Sequence, residues 1–588
     1  MPIAFGNFVR VCCAFLLATG ALFVTAPAAA ATTITGGNVI NQTWSPAGSP
    51  YIVQGDVTVP AGAFLTIQAG TTVQFATSDS QVAGRSTSKV ELSVHGTLTV
   101  SGTSGNPVIF QSQTGSTQGS WYGLIVENDA TGASIAGAEI RHATYGVLNE
   151  KSGTTLSVVD TTVQTNQYGI YLSDGSPTLT RLLATGNQYG VYAIAPGSPS
   201  INDSQFLTNT SYGVYAYASS GKSGTVSIDK CTFDKNGSYG IYTNRSSSTA
   251  ALTVNVKNSV ITNHTSYGVY RGGSSYPATV TITYSNIWGN GTNTNASMGT
   301  GAFSANPLYV STSNLRLTSN SPARFAGESG GDIGALPYTG DATVGLLGTL
   351  WTNTTLSPSG SPYTVPGDLT VPKNVTLTIE SGVTLSFLTS DQMVAGASTS
   401  KVEFNVIGRV NAVGTKAAPI VLTSTGGTQG SWYGLVLDTE ASNTKLSYLK
   451  SERATYGIKY SSTGSGNALD HLTLSTNQYG MYVDAGAPGL DIITASGNQY
   501  GIYAVAPGGF SLENGLFNAN TSYGVYAYAS SGKSGSVSIH SSTFDKNGSY
   551  GVYSNRSSST AAPSVCGTKS IVTNHTSYRV YRGGGSHP

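Results

Sequence analysis

Short runs in which apolar and polar residues alternate fill most of the chain; Thr225-Val226-Ser227-Ile228 is one, and Leu252 to Val256 is another. Side chains on an extended strand point alternately to two faces, so each run predicts a short strand with one buried face. No segment carries the 3.6-residue spacing of an amphipathic helix. A Tyr-Gly pair punctuates the pattern at Tyr145, Tyr168, Tyr189, Tyr212, Tyr239 and Tyr267, in steps of 23, 21, 23, 27 and 28 residues. Ile or Val usually follows, then Tyr, as in Gly169-Ile170-Tyr171. Strands and turns repeating every twenty-odd residues predict a solenoid, in which each coil buries its apolar face only against its neighbours. A propeller blade needs about forty residues and antiparallel hairpins. The Leu and Asn spacing of a leucine-rich repeat is absent. The expected fold class is therefore all-β, a parallel β-helix.

The whole unit is duplicated. "GSWYGLIV" at Gly119–Val126 returns as "GSWYGLVL" at Gly430–Leu437, and the offset stays at 311 from Trp121/Trp432 to Tyr267/Tyr578. Upstream, Lys89 and Lys401 are offset by 312. The expected organisation is an export signal over 1–31, a first unit over 32–338 with its closing segment, a connector over 339–350, and a second unit over 351–588. The closing segment, with Asn306-Pro307-Leu308 and Asp332 to Ala335, is expected to cover the last rung of the first unit. The second unit has no counterpart of it and is expected to be incomplete at its C-terminal end. Pro563, Gly567 in place of Val256, and Arg579 in place of Gly268 predict mobility over 561–588.

The repeat fixes a register. Ile170, Val191, Val214, Ile241 and Val269 are expected to stack inside the coil. Asn166, Asn187, Asn209, Asn236 and Asn263 recur before the turn, where Asn tolerates left-handed backbone and can bond neighbouring main chain. Tyr171, Tyr192, Tyr215, Tyr242 and Tyr270 follow the inward residue by one, so alternation turns them outward in a row spaced about 4.8 Å apart. Tyr482, Tyr503, Tyr526 and Tyr553, with Tyr581 beyond them, repeat the row. Such rings can stack on the apolar faces of sugars, or simply stabilise the sheet by ring contact.

Composition narrows the function classes. Arg10, the apolar run Val11 to Val24 and the small residues Ala26 to Ala31 read as a cleavable export signal, too short to anchor in a membrane. Only 9% of residues are charged and the net charge is +1, with no basic stripe for nucleic acid. No second apolar stretch is long enough to span a bilayer. Once Cys12 and Cys13 leave with the signal, Cys231 and Cys566 remain at non-equivalent positions, so no disulfide framework is expected.

"YGIYL" at Tyr168–Leu172 and the Asn-rich turns resemble the repeats of pectate-lyase-like right-handed β-helix proteins. They are also similar to the carbohydrate-binding and sugar-hydrolase repeat shared with a periplasmic protein that assists copper loading of nitrous oxide reductase. "GDVTVPAGAFLTIQAGTTVQF" (Gly55–Phe75) and "GSWYGLIV" look like the opening of bacterial surface β-helix proteins, and "NPLYV" (Asn306–Val310) like their closing segment. The resemblance implies right-handed coiling and a link to polysaccharide.

Activity is less legible. The Gly-His-Gly and Asn-Thr-Asp signatures of polygalacturonases and the Trp-Ile-Asp-His and Arg-Pro-x-x-Arg signatures of pectate lyases are absent. Charges shared by the copies include Asp79/Asp391, Lys89/Lys401, Glu91/Glu403, Lys222/Lys533, Asp234/Asp545, Lys235/Lys546, Arg245/Arg556 and Arg271/Arg582, which copying alone explains. Asp234, Arg245 and Arg271 fall on neighbouring rungs and are the catalytic candidates. The seven His residues have no ligand spacing, so no metal site and no cofactor is expected, Ca²⁺ being an option only if the protein is a lyase. The leading expectation is an exported or cell-surface, monomeric, non-catalytic protein that binds glycans or other extended polymers through its outer faces. The alternatives are a polysaccharide lyase or glycoside hydrolase with an atypical site, and a periplasmic metal-handling accessory.

Overall fold

The computed structural model describes residues 30–273 and 275–582; all but the last two residues of the expected export signal lie outside them. In the first unit, successive strands are dealt in turn to three parallel sheets of 11, 11 and 10 strands. The first sheet runs from Thr32–Ile34 to Asn286–Trp288, and the third from Gln42–Trp44 to Thr279–Thr283. Between them the tyrosine sheet runs from Gly37–Asn38 to Thr292–Thr294. The chain thus winds as a right-handed parallel β-helix. Among the described residues the only regular helices are two single turns, Pro46–Gly48 and Pro358–Gly360.

The second unit repeats the tyrosine sheet with ten strands, from Gly348–Thr349 to Tyr578–Arg582. Its ladder therefore begins inside the expected connector. Its other two faces are fused into one 16-stranded sheet, because the strands Ala468–Ser475 and Gly489–Ser496 run around the corner between them. His471 and Ile492 make that corner with left-handed backbone.

The inward columns fill each coil. Ile170, Val191, Val214, Ile241 and Val269 pair rung to rung and are completely buried. Aromatic rings stack among them, Phe75 on Trp121 at 4.0 Å and Phe206 on Phe233 at 4.6 Å. Each unit has its own continuous core, so each rung is stabilised by the next.

A buried polar column runs beside the apolar ones. The side chain of Asn187 donates to Val163 O at 2.9 Å and to Asn209 Oδ1 at 2.9 Å, and accepts from the backbone N–H of Asn166. Asn209 repeats this with Asn236. Asn263 is not in the column: the next member is His264, whose Nδ1 accepts from Asn236 N at 3.0 Å. Burial holds the His264 imidazole down to about 3, so it is neutral and fit to accept. The residue before each member, Thr165, Thr208, Lys235 and Asn263, takes the left-handed backbone. The column asparagines therefore serve through their side-chain bonds, and Asn263 through its conformation.

Only part of the closing segment lies as expected: Asn306 and Leu308 follow directly on the cover of the last rung, whereas Asp332 to Ala335 do not. Gly334 N bonds to Asn258 O and Ala335 N to Thr232 Oγ1, so Asp332 to Ala335 fold back on the first sheet, where Ile333, Leu317 and Ala323 bury Val260. The last rung is covered by the segment just before Asn306, with Met298 bridging Ile282 and Phe303 bridging Asn286, and Asn306 follows on to the second unit. Trp288 Nε1 donates to Met393 O at 3.1 Å, Asn306 N bonds to the same oxygen, and Met393 packs with Ala305 and Leu347. At the other end, Ala562–Thr568 pairs over seven residues with Ser534–His540, with Pro563 opposite Gly535. The segment expected to be mobile therefore carries regular strands as far as Arg582. Ile571 and Val580 there are 60% and 63% exposed.

Candidate functional site

The outer face of the tyrosine sheet carries two columns of rings in each unit. One is the expected row, Tyr171, Tyr192, Tyr215, Tyr242 and Tyr270, in direct rung-to-rung register. The other consists of the Tyr-Gly tyrosines themselves, Tyr145 to Tyr267, and alternation alone misses it. Tyr168 and Tyr171 are three apart, which on a regular strand would put them on opposite faces. Instead Gly169 and Ile170 both turn inward, and the strand buries as half-buried, buried, buried, half-buried, buried. Glycine is required at this step: a Cβ on Gly190 would come within 2.5 Å of Gly213 O and 2.8 Å of a Phe206 ring carbon.

The column rings from Tyr145 to Tyr270 and from Tyr456 to Tyr553 are half-buried, and those from Tyr145 to Tyr192 form a herringbone. Tyr171 stacks on Tyr192 at 5.2 Å and 5°, while Tyr168 meets Tyr192 edge-on at 5.4 Å and 90°. The second unit repeats this: Tyr482 stacks on Tyr503 at 5.6 Å, and Tyr479 meets Tyr503 edge-on at 5.5 Å. The ring faces are taken by other rings, so flat stacking on a sugar is not what this surface offers. The rims and hydroxyls are what remains. Burial, then neighbouring phenols, pushes Tyr171 and Tyr212 up to about 12 and raises Tyr192 and Tyr503 as well, and burial, then the Asp484 carboxylate, pushes Tyr482 up to about 12. These phenols are neutral hydrogen-bonding groups, without a phenolate poised as a base.

At the N-terminal end of this sheet, residues 76–90 cross the outer face as a strap. Asp79 accepts from the N–H groups of Asp56, Gln81 and Ala83; Asp56 accepts from Glu91 N, and Glu91 from Arg85 N. Asp368, Asp391 and Glu403 repeat the staple in the second unit. Asp79 and Glu91 are among the duplicated charges named above, and Asp56 is a further one, carried by both "GDVTVP" and "GDLTVP". Burial raises Asp56 to about 6, Glu91 to about 7 and Asp368 to about 8. Raised carboxyls can serve as general acids, but these are closed off beneath the strap, at 6%, 3% and 7% exposure.

Above the staple, Arg85 bridges Glu127 and Glu150 at 2.5 and 2.6 Å. Against the effect of burial, Arg85 and Ser93 hold the Glu127 carboxyl below the usual range. The second copy has Ala397 in place of Arg85 and places Lys459 in the outward column, 3.6 Å from Asp484.

The three catalytic candidates are not brought together. Asp234 lies on the first sheet, 4% exposed, accepting from Thr262 Oγ1 and Asn263 Nδ2 and 3.7 Å from Lys235. Arg245 closes a strand of the tyrosine sheet and donates to Tyr276 O and Ala250 O. Arg271 closes the next strand, exposed, with its main chain tied to Asn295. Neighbouring rungs do not imply a shared face, because each rung visits three sheets. Among the described residues no group of three or more His, Cys, Asp or Glu converges as a metal ion would require. Cys231 is buried, Cys566 is exposed, and both are free.

Comparison with known proteins agrees with this architecture. The family described as "right handed beta helix region" matches residues 122–281 and 428–587, just over half of the chain. A "pectate-lyase like beta helix domain" matches 37–157 and 348–472. No curated protein matches the sequence. Among solved structures, a mutant of the PL6-family alginate lyase AlyGC is similar at 9% identity, covering 93% of this chain and 97% of the other with a TM-score of 0.25. Two structures of the periplasmic alginate epimerase AlgG are similar at 11% and 10% identity, each covering 93% of this chain and 85% of the other, with TM-scores of 0.16 and 0.14.

Proposed function

The chain belongs to the right-handed β-helix family, and on that premise we propose that it is an exported, non-catalytic protein that binds polysaccharide along its tyrosine sheet. The observation that carries this reading is the paired ring columns. Outward positions of a strand have no core to fill, yet here they hold phenols on rung after rung in both units. Phenols give an amphipathic, rigid surface, and their hydroxyls exchange bonds with water and sugar on nearly equal terms. The non-catalytic part rests on the phenols being neutral, the raised carboxyls being covered, and Asp234 lying on another sheet. Export rests on the N-terminal signal pattern, and no helix among the described residues is long and apolar enough to cross a membrane.

A second reading, a polysaccharide lyase or glycosidase, is favoured by one feature: Glu127, Glu150 and Arg85 meet beside Tyr122 and Tyr145 on this outer face. The metal-handling reading finds no donor set among the described residues. The test is binding to a panel of soluble polysaccharides by affinity electrophoresis, with product release followed in parallel. Retardation that disappears in a Tyr192→Ala/Tyr215→Ala/Tyr242→Ala variant supports the proposal. Release of unsaturated or reducing ends, abolished by Glu127→Gln or Glu150→Gln, would replace it with the second reading.

A further inference from the structure

Resting on the polysaccharide reading above, we infer that the tyrosine sheet takes an uncharged polysaccharide laid parallel to the solenoid axis, and that polyuronates are poor ligands for it. The columns set the direction. Rings repeat along the axis at 5.1 Å from Tyr145 to Tyr168 and at 5.2 Å from Tyr168 to Tyr189 and from Tyr171 to Tyr192, with no equivalent row running around a coil. One extended pyranose unit is about as long as one rung is thick, so a chain lying along the columns presents one sugar to each rung.

The composition of the face sets the charge. From Tyr168 to Tyr270 the two outward columns contain only tyrosine, and the next outward positions are Ile194, Tyr217 and Asn244. Arg245 and Arg271 share registers with the inward Ala218 and Thr243 and do not join these columns. A polyuronate brings one carboxylate per sugar, and no cation stands within these two columns of the first unit to meet it, while Lys459 in the outward column of the second unit is already paired with Asp484. Carboxylates pressed against half-buried rings without partners lose hydration and gain nothing in return. The surface already resists negative charge, since burial and neighbouring phenols make Tyr168, Tyr171, Tyr212 and Tyr242 harder to ionise than free phenols. At the N-terminal end, two carboxylates, Glu127 and Glu150, share the single Arg85, which adds repulsion. A neutral sugar has none of these costs: its hydroxyls pair with phenol hydroxyls and its C–H edges meet the ring rims.

The test is a matched pair of polymers on one backbone, hydroxyethylcellulose and carboxymethylcellulose, with glucomannan, a β-1,3-glucan, alginate and polygalacturonate alongside. The full-length chain is run in affinity electrophoresis at low salt. Hydroxyethylcellulose or another neutral polymer should retard it, and the charged partner should bind at least about tenfold more weakly. Tyr192→Phe/Tyr215→Phe/Tyr242→Phe keeps the rings and should weaken neutral binding, which guards against an alanine variant that fails to fold. Equal or tighter binding of carboxymethylcellulose or alginate through the same tyrosines would overturn the inference and leave the polysaccharide reading standing. Binding to no polymer, or binding unmoved by both triple variants, would overturn that reading itself.

Discussion

Replacing Asn187 by alanine removes one rung of the buried amide column, and the structure sets the cost. The side chain makes four bonds, all inside the coil: it accepts from Asn166 N and Asn166 Nδ2 and donates to Val163 O and Asn209 Oδ1. Two of the partners keep another bond, since Asn166 Nδ2 still reaches Ile140 O and Asn209 Oδ1 still accepts from Asn187 N. The Asn166 N–H loses its side-chain acceptor at a residue with no exposure, and Val163 O loses a donor. A buried group left unpaired costs about 1–3 kcal/mol, so Asn187→Ala should cost roughly 2–4 kcal/mol. Asn187→Asp keeps the shape but turns an acceptor toward Val163 O and Asn209 Oδ1 and buries a charge, so it should cost more at neutral pH. Lowering the pH should relieve it, since the protonated acid donates once. A two-unit solenoid need not unfold as one step. The measurement is therefore native-state hydrogen exchange on the strands Tyr168–Leu172 and Tyr189–Ile194. The strand Thr384–Phe387 in the other unit serves as an internal reference. Protection within about 0.5 kcal/mol of the parent in Asn187→Ala, or an aspartate milder than the alanine at neutral pH, would refute the reasoning.

Three further outcomes follow from the same geometry. Gly190→Ala drives a Cβ toward Gly213 O and the Phe206 ring and should cost about 1–3 kcal/mol, whereas Gly105→Ala meets nothing within 4 Å and should stay within about 0.5 kcal/mol in the same thermal melts. Asp56, Glu91 and Asp368 hold their protons more tightly folded than unfolded, so their contribution is most favourable below about pH 4 and is lost as pH rises through about 6, 7 and 8. Each tenfold difference in proton affinity between the folded and unfolded states is worth about 1.4 kcal/mol. Asp56→Asn/Glu91→Gln should flatten the fall in melting temperature between about pH 5 and 8, and an unchanged slope would show that the staple is not its source. Arg85→Ala should raise hydrogen exchange across 79–90 by roughly 1 kcal/mol while leaving 391–402, where Ala397 stands at this position, as before; equal loosening of both straps would remove the ion pairs as the cause.

The fold was legible because a solenoid repeats its constraints. Ile170, Val191, Val214, Ile241 and Val269 each solve the same packing problem, so their spacing alone reveals the coil. What failed was inference from position within a rung to a face of the molecule. Asn263 has the right residue type one place too early, and His264 takes the bond instead. Asp234 is close in sequence to Arg245 yet points from a different sheet. The staple went unseen because its three carboxylates, Asp56, Asp79 and Glu91, come from three points along the chain that only coiling brings together.

The doubled tyrosine columns show where structure and function separate. Ring stacking explains why an aromatic sits at these positions, but phenylalanine would stack equally well. The chain does use phenylalanine where a ring must be buried: Phe75, Phe110, Phe206 and Phe233 all point into the coil with no exposure. Outside, on the tyrosine sheet, every ring in the two columns carries a hydroxyl. Hydration of the rim is sufficient reason for some of these hydroxyls. It does not explain why outward positions are filled with large rings when Ser and Thr, abundant elsewhere in the chain, would hydrate as well and lose less conformational freedom. A surface that both stacks along the axis and offers a regular line of neutral hydroxyls is suited to an extended partner with the same repeat. The phenylalanine and alanine triple variants divide the two contributions: stability should follow the rings, and binding should follow the hydroxyls.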